Sequence, residues 1–177
     1  MNKRFWLLVC TIVLLVITVV PVGAKSEVIP ITGVCYIYKW GGGGEGELPT
    51  DPNYRIWESG TGAHWRNQLW LFWCDYNDDR LDGSMLMYDN WNMTFDESKD
   101  FIAHNFGQDY SADENGNILN LWEGSHVGIT YPDWSYSSHF NYKGLGMYKG
   151  LIAQLDMTLK VGDSAYTVVG ELKETGN

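Results

Sequence analysis

The chain has 177 residues and carries 22 acidic against 12 basic side chains, a formal net charge of −10. A surface this acidic repels phosphate backbones and anionic headgroups, which excludes nucleic acid and anionic lipid as expected partners. The length suits a single domain able to bury a core, and the aromatic share of 15% is high.

The chain opens Met1-Asn2-Lys3-Arg4, continues as an uncharged apolar run from Phe5 to Val20, and then reads Pro21-Val22-Gly23-Ala24. A basic start, an apolar centre and small residues before a cut are the pattern of a secretory signal peptide. Residues 1–24 are therefore expected to be removed after Ala24, leaving a secreted or extracytoplasmic domain. The alternative is a retained N-terminal membrane anchor, because the run approaches the roughly 18–20 residues that span a bilayer. No second apolar run is that long, so no membrane contact is expected after cleavage. Loss of Lys3 and Arg4 leaves ten bases against 22 acids, a net charge of −12.

Two cysteines remain, Cys35 and Cys74. In an oxidising compartment such a pair is expected to form a disulfide; the alternative is two buried thiols. Residues 25–53 read as a lead-in. A short strand is expected over Val34–Trp40, followed by the tether Gly41–Gly44 and the Pro49–Pro52 stretch.

From residue 54 to 177 the pattern is strands and turns. Trp65–Tyr76 is one long strand whose centre, Leu69-Trp70-Leu71-Phe72-Trp73, is apolar on both faces, so one face must be covered from outside. Asn77–Arg80 makes a turn. Ser84–Phe95 alternates, with Met85, Met87, Trp91, Met93 and Phe95 on one face, broken only by Asp89. Glu97–His104 has helical spacing but is short, and Phe101–Tyr110 reads as a weak strand. Asn115-Gly116 is a hairpin signal, with Ile118–Tyr131 as its return strand. Tyr136–Tyr142, Met147–Val161 and Tyr166–Leu172 follow. Seven or eight strands without a helical domain predict an all-β, antiparallel closed barrel, with a β-sandwich as the alternative.

The stretch Tyr142-Lys143-Gly144-Leu145-Gly146-Met147-Tyr148-Lys149-Gly150-Leu151 resembles the C-terminal signature of allene oxide cyclase-like and dirigent-like β-barrels. Asp78–Ser84 and Trp122-Glu123-Gly124 are similar to pieces of small secreted bacterial and archaeal domains in the same superfamily. The resemblance implies a barrel with an apolar pocket and assigns no catalytic residue. Gly144, Gly146 and Gly150 are expected to be structural, at a barrel corner where bulges or close backbone approach need glycine. The competing reading is a glycine-rich hairpin loop.

Candidate chemistry is thin. His64, His104, His126 and His139 show no metal-ligand spacing, and no metal or cofactor is expected. Asp75, Asn77 and Asp79 begin like a calcium loop, but Arg80 stands where glycine is needed and Leu86 where glutamate is needed. Glu58 and Glu123, each beside a tryptophan, are weak candidates for a general acid. The remaining signal is the set of eight tryptophans outside the leader. These rings can line a pocket, form a sugar-stacking platform or pack a barrel.

The leading expectation is a binding module for an apolar or aromatic small molecule, without catalysis. The alternatives are a cyclase- or isomerase-type enzyme acting inside the barrel, and an extracellular carbohydrate-binding module. Oligomeric state stays open. Strand parity puts Trp65, Leu69, Leu71 and Trp73 on one face and Trp70, Phe72 and Cys74 on the other. Meeting Cys35 from a lead-in segment is easier outside a barrel, so the first set is expected to face inward, with Trp122 and Tyr148 as further ligand-binding walls.

Overall fold

The computed structural model describes residues 27–95 and 101–175. The leader expected over 1–24 and residues 97–100 of the helical-spacing segment lie outside the described residues; residues 101–104 of that segment are strand.

Nine strands follow in chain order: β1 Val28–Trp40, β2 Arg55–Ser59, β3 Gly62–Tyr76, β4 Gly83–Phe95, β5 Phe101–Ala112, β6 Ile118–Thr130, β7 Tyr136–Gly144, β8 Leu151–Leu159 and β9 Tyr166–Glu174. Strands β3 to β9 pair in sequence order, all antiparallel, and β1 pairs with both β9 and β3. Eight strands thus close a barrel, while β2 lies outside it as an edge strand in a hairpin on β3. The long apolar runs joined by short turns make this topology local, each stave pairing with its chain neighbour except at closure.

The lead-in strand is longer than the sequence suggests. Val28–Trp40 is a full barrel stave, with Cys35 directly opposite Cys74 on β3. The Cys35–Cys74 disulfide is formed, with Cα atoms 4.1 Å apart and both cysteines buried. It lies inside the barrel, because the segment that carries Cys35 is itself part of the wall.

That placement corrects the face assignment of β3. The main core holds Phe72, Cys74 and Tyr76 with Met85, Met87, Phe140, Tyr142, Leu155, Met157, Val168 and Leu172. Leu69 and Leu71 instead form a second cluster with Leu48, Leu86 and Ala112, where the Gly41–Tyr54 connection folds over the outer wall. Trp73 is 51% exposed. Trp65, however, does face inward, because simple alternation fails between Trp65 and Gln68. A bulge there puts one extra residue on β3, with Asn67 at φ 55°. An extra residue reverses the side-chain parity beyond it. Trp65 and Trp70 therefore both reach Trp91, at ring-centroid distances of 6.2 and 6.4 Å.

The glycine motif is the β7–β8 connection, not the entry to a strand. Gly144 ends β7, Gly146–Tyr148 forms a short 3-10 turn, and Gly150 precedes β8. The chain doubles back so tightly that a Cβ on Gly144 would lie 2.0 Å from the Tyr148 carbonyl oxygen. Gly146 has open space but a φ of 51°. Gly144→Ala is therefore expected to destabilise the protein by about 2–4 kcal/mol, against about 1–2 kcal/mol for Gly146→Ala, which strains only the backbone angle. Urea unfolding of the two variants checks the order; equal losses would show that the turn at Gly144 can relax.

The disulfide spans 39 residues, and closing a loop of that length stabilises by about 3–4 kcal/mol by the chain-entropy argument. Replacing both cysteines by serine is expected to lower the unfolding free energy by that amount. A urea midpoint unchanged by the replacement would mean that the β1–β3 ladder alone holds the two ends.

Candidate functional site

Two features of the interior bear on function. The first is a charged array at mid-barrel. Asp89 on β4, Asp109 on β5 and His126 on β6 are all buried. His126 Nδ1 lies 2.9 and 3.1 Å from the Asp109 carboxylate oxygens, and Nε2 lies 3.1 Å from Asp89 Oδ1. With a carboxylate at each nitrogen, both ring nitrogens donate, and the ring is an imidazolium. The indole N–H of Trp91 donates to Asp89 Oδ2, and Asn105 Nδ2 approaches the same oxygen at 3.5 Å. Thr130 donates in turn to Asn105 at 3.1 Å. The imidazole fits because β5 has a glycine beside it. A Cβ on Gly107 would lie 1.9 Å from the Tyr88 carbonyl oxygen and 2.8 Å from His126 Cε1.

Burial alone would lower the His126 pKa, but hydrogen bonds and charges from Asp109 and Asp89 outweigh it and push it up to about 9. Burial raises the Asp109 pKa, against the pull of His126. Beside Asp89 lies a cavity of about 40 Å³ lined by Trp70, Tyr136 and Tyr166 among others. It has room for water and none for an organic ring. The buried Trp70 Nε1 and Tyr136 hydroxyl have no hydrogen-bond partner among the described residues.

The second feature is an open pocket of about 290 Å³ at one barrel end. Its floor and walls include Tyr76, Met85, Trp122, Tyr142, Tyr148 and Leu155, and its rim is formed by the Asp79–Gly83 and Asp113–Glu114 turns. The Trp122 and Tyr148 rings stack at 5.5 Å with an interplanar angle of 26°. The tight turn at Gly144 is what returns Tyr148 to Trp122. The Trp122 indole N–H donates to the Arg80 carbonyl at 2.7 Å and so ties the rim to the wall. Asp79, Asp82, Asp113 and Glu114 make the rim acidic, and its Arg80 is already paired with Asp78 at 2.6 Å.

Of the expected ligand-binding residues, Trp73, Trp122 and Tyr148 line this pocket. Trp65 packs with Ala63, Met93, Ala103 and Trp91 in a separate cluster, and Leu69 and Leu71 lie under the outer loop. The weak acid candidates stand elsewhere. Glu58 is exposed on β2, opposite Ala63. Glu123 is bound to Lys143 at 2.6 Å on the outside. Among the described residues no group of acids, cysteines and histidines is arranged to hold a metal ion, and no helix is long and apolar enough to cross a membrane. Compared with family models, with curated proteins and with solved structures, the chain gives no match.

His126 ties the array to pH. Its folded pKa, about 9, exceeds the ordinary histidine value of 6.5. Its contribution is therefore fully present below about pH 6.5 and is lost as pH rises through about 9. A shift of that size corresponds to stabilisation on the order of 3 kcal/mol. Burial raises the Asp109 pKa as well, so its own loss of stability with rising pH has the same sign but begins in the ordinary carboxylate range, below this window. Urea unfolding from pH 6 to 10 should show stability falling across this window, and His126→Gln should flatten that part of the profile. A flat wild-type profile would mean that the ring is not protonated in the folded protein.

Proposed function

We propose that the protein is a secreted β-barrel binding module that takes an apolar or aromatic small molecule in the barrel-end pocket. The observation that carries this reading is the stacked Trp122–Tyr148 wall on a pocket of about 290 Å³. That volume lies near the lower end of ligand sites, about 300 Å³, and suits one or two rings. Affinity comes mainly from burial, at roughly 25 cal/mol per Å² of apolar surface before binding costs. The acidic rim favours neutral or cationic ring compounds over anionic ones. The Cys35–Cys74 disulfide is compatible with an extracytoplasmic location.

Catalysis at the interior array is the less supported alternative. A substrate would have to reach Asp89 or Asp109, and the adjoining space of about 40 Å³ admits water but no organic substrate. The charged array reads better as a polar core that fixes how the staves fit together.

Tryptophan fluorescence titration with a panel of neutral, cationic and anionic one- and two-ring compounds tests the pocket. Quenching is expected from neutral and cationic members. Tyr148→Ala should weaken it by about tenfold, the loss of one stacking wall of roughly 1.4 kcal/mol, whereas Trp65→Ala should leave it intact. Absence of quenching by any compound, or equal affinity in Tyr148→Ala, would leave the barrel as a packed scaffold.

A further inference from the structure

The outer face of β2 to β5 is chemically unlike the rest of this acidic protein. Arg55 on β2 and Arg66 on β3 are direct cross-strand partners. Like charges placed opposite each other in a sheet are destabilising, and among the described residues neither arginine forms an ion pair with a carboxylate. Outward positions on the neighbouring strands supply no acid. Register places His64, Asn92 and His104 in one row, with Asn90 opposite Phe106 beside it.

Arg66 is fixed rigidly. Its Nη1 donates to the carbonyls of Trp65 at 2.7 Å and Trp91 at 3.0 Å, and its Nη2 donates to Asn92 Oδ1 at 2.7 Å. The guanidinium lies over the Trp57 ring at 5.0 Å and near the Phe106 ring at 5.5 Å. Arg55 lies over the other part of this cluster, 5.3 Å from Trp57. Of the five N–H groups of Arg66, the Nε–H and one on Nη2 remain without an acceptor among the described residues. The Trp57 indole stacks on His64 at 5.0 Å and is still 38% exposed. His64 is held by Ser59 and Asn92 at 2.8 and 2.9 Å.

We propose that this face is a second, independent binding site, for a carboxylate borne on a ring, with the Arg55–Arg66 pair holding the carboxylate and Trp57 stacking on the ring. Two cations without an ion-pair partner among the described residues, one of them held rigidly, select an anion, and a bidentate carboxylate matches the donors that Arg66 leaves open. The exposed indole selects a flat body. The site is an open face, not a cavity; Asn90 and the Asn92 side-chain oxygen are already engaged within the protein, which leaves the Asn92 amide N–H groups and His104 to hydrogen-bond hydroxyl groups. These features favour a sugar acid, a uronate, over an aryl acid. The negative charge of the chain as a whole disfavours long polyanions, so the ligand is a single uronate or a short oligomer.

Heteronuclear NMR titration of the full mature protein with glucuronate and a short oligogalacturonide tests this, with glucose and benzoate as comparisons. Shifts centred on Trp57 and Arg66 are expected for the uronates, weakening with added salt. Arg55→Gln, which removes no side-chain hydrogen bond among the described residues, should weaken binding at least fivefold. Trp57→Ala should do the same, while Tyr148→Ala in the barrel-end pocket should change nothing here. Equal binding of glucose, stronger binding of benzoate, affinity unchanged in Arg55→Gln, or no shifts with either uronate would each overturn the assignment. So would self-association abolished by Arg55→Gln, which would make a second copy the occupant.

Discussion

The ion-paired imidazolium at mid-barrel sets the terms for the rest of the interior. Removing a charged ring and two carboxylates from water costs several kcal/mol per ion, and their mutual attraction offsets this only when geometry and additional hydrogen bonds are good. Here the interacting groups are supplied by three adjacent staves. Asp89 comes from β4, Asp109 from β5 and His126 from β6, with Trp91 and Asn105 completing the shell of Asp89. A slip of any of these strands by one residue would turn an acid or the imidazole outward and leave its partner buried and unpaired. The array therefore specifies register as well as contributing energy. It also explains why an inward stave position is Gly107: the ring occupies the space a side chain would need.

The array divides the barrel. On one side, Phe140 packs against His126 and stacks on Tyr142 at 5.8 Å. The Tyr142 hydroxyl, whose proton is kept by burial and by nearby Asp109, is directed at Met85 Sδ at 2.6 Å. Tyr142 and Met85 line the floor of the open pocket. On the other side, Trp65, Trp70 and Trp91 fill the interior around Asp89. One end is thus free for a ligand while the other is closed by indoles, and the asymmetry follows from where the aromatic residues fall on inward positions.

Much of this was legible in the sequence, and the failures have identifiable causes. Seven of the expected strands correspond to β3 to β9, because their alternation and turn residues act locally. The interior array left one trace, the single acid interrupting the Met85–Phe95 apolar face at Asp89. Its partners are not visible in the same way, since Asp109 and His126 lie 20 and 37 positions beyond Asp89 and meet only through register. The β3 face was misread for two reasons. A lead-in over residues 25–53 with a short strand Val34–Trp40 leaves this segment outside the barrel, although the apolar positions of β1 close it, and the bulge at Arg66-Asn67 breaks parity without glycine or proline to announce it. Trp122 and Tyr148 line the pocket, each anchored by a local pattern, whereas the alternation argument puts Leu69 and Leu71 on the wrong side.

The same bulge links the interior to the outer face. Accommodating one extra residue leaves backbone carbonyls at Trp65 and Trp91 in need of donors, and Arg66 supplies both from one guanidinium nitrogen. The Asn67 backbone N–H is met by Asn90 Oδ1 at 3.2 Å. A lysine could not satisfy this arrangement, because a single ammonium lacks the planar fork that reaches two carbonyls and an amide together. Arg66 therefore has a structural reason to be present, and burial followed by the charge of Arg55 lowers its pKa without neutralising it. Arg55 has no comparable reason. It makes no hydrogen bond that the bulge requires, yet it stands opposite another cation in a chain rich in acids. A structural role accounts for one member of the pair and leaves the other to be explained by what the face meets in solution. The acidic rim of the pocket and the basic outer face of β2 and β3 thus divide the molecule by charge as well as by shape.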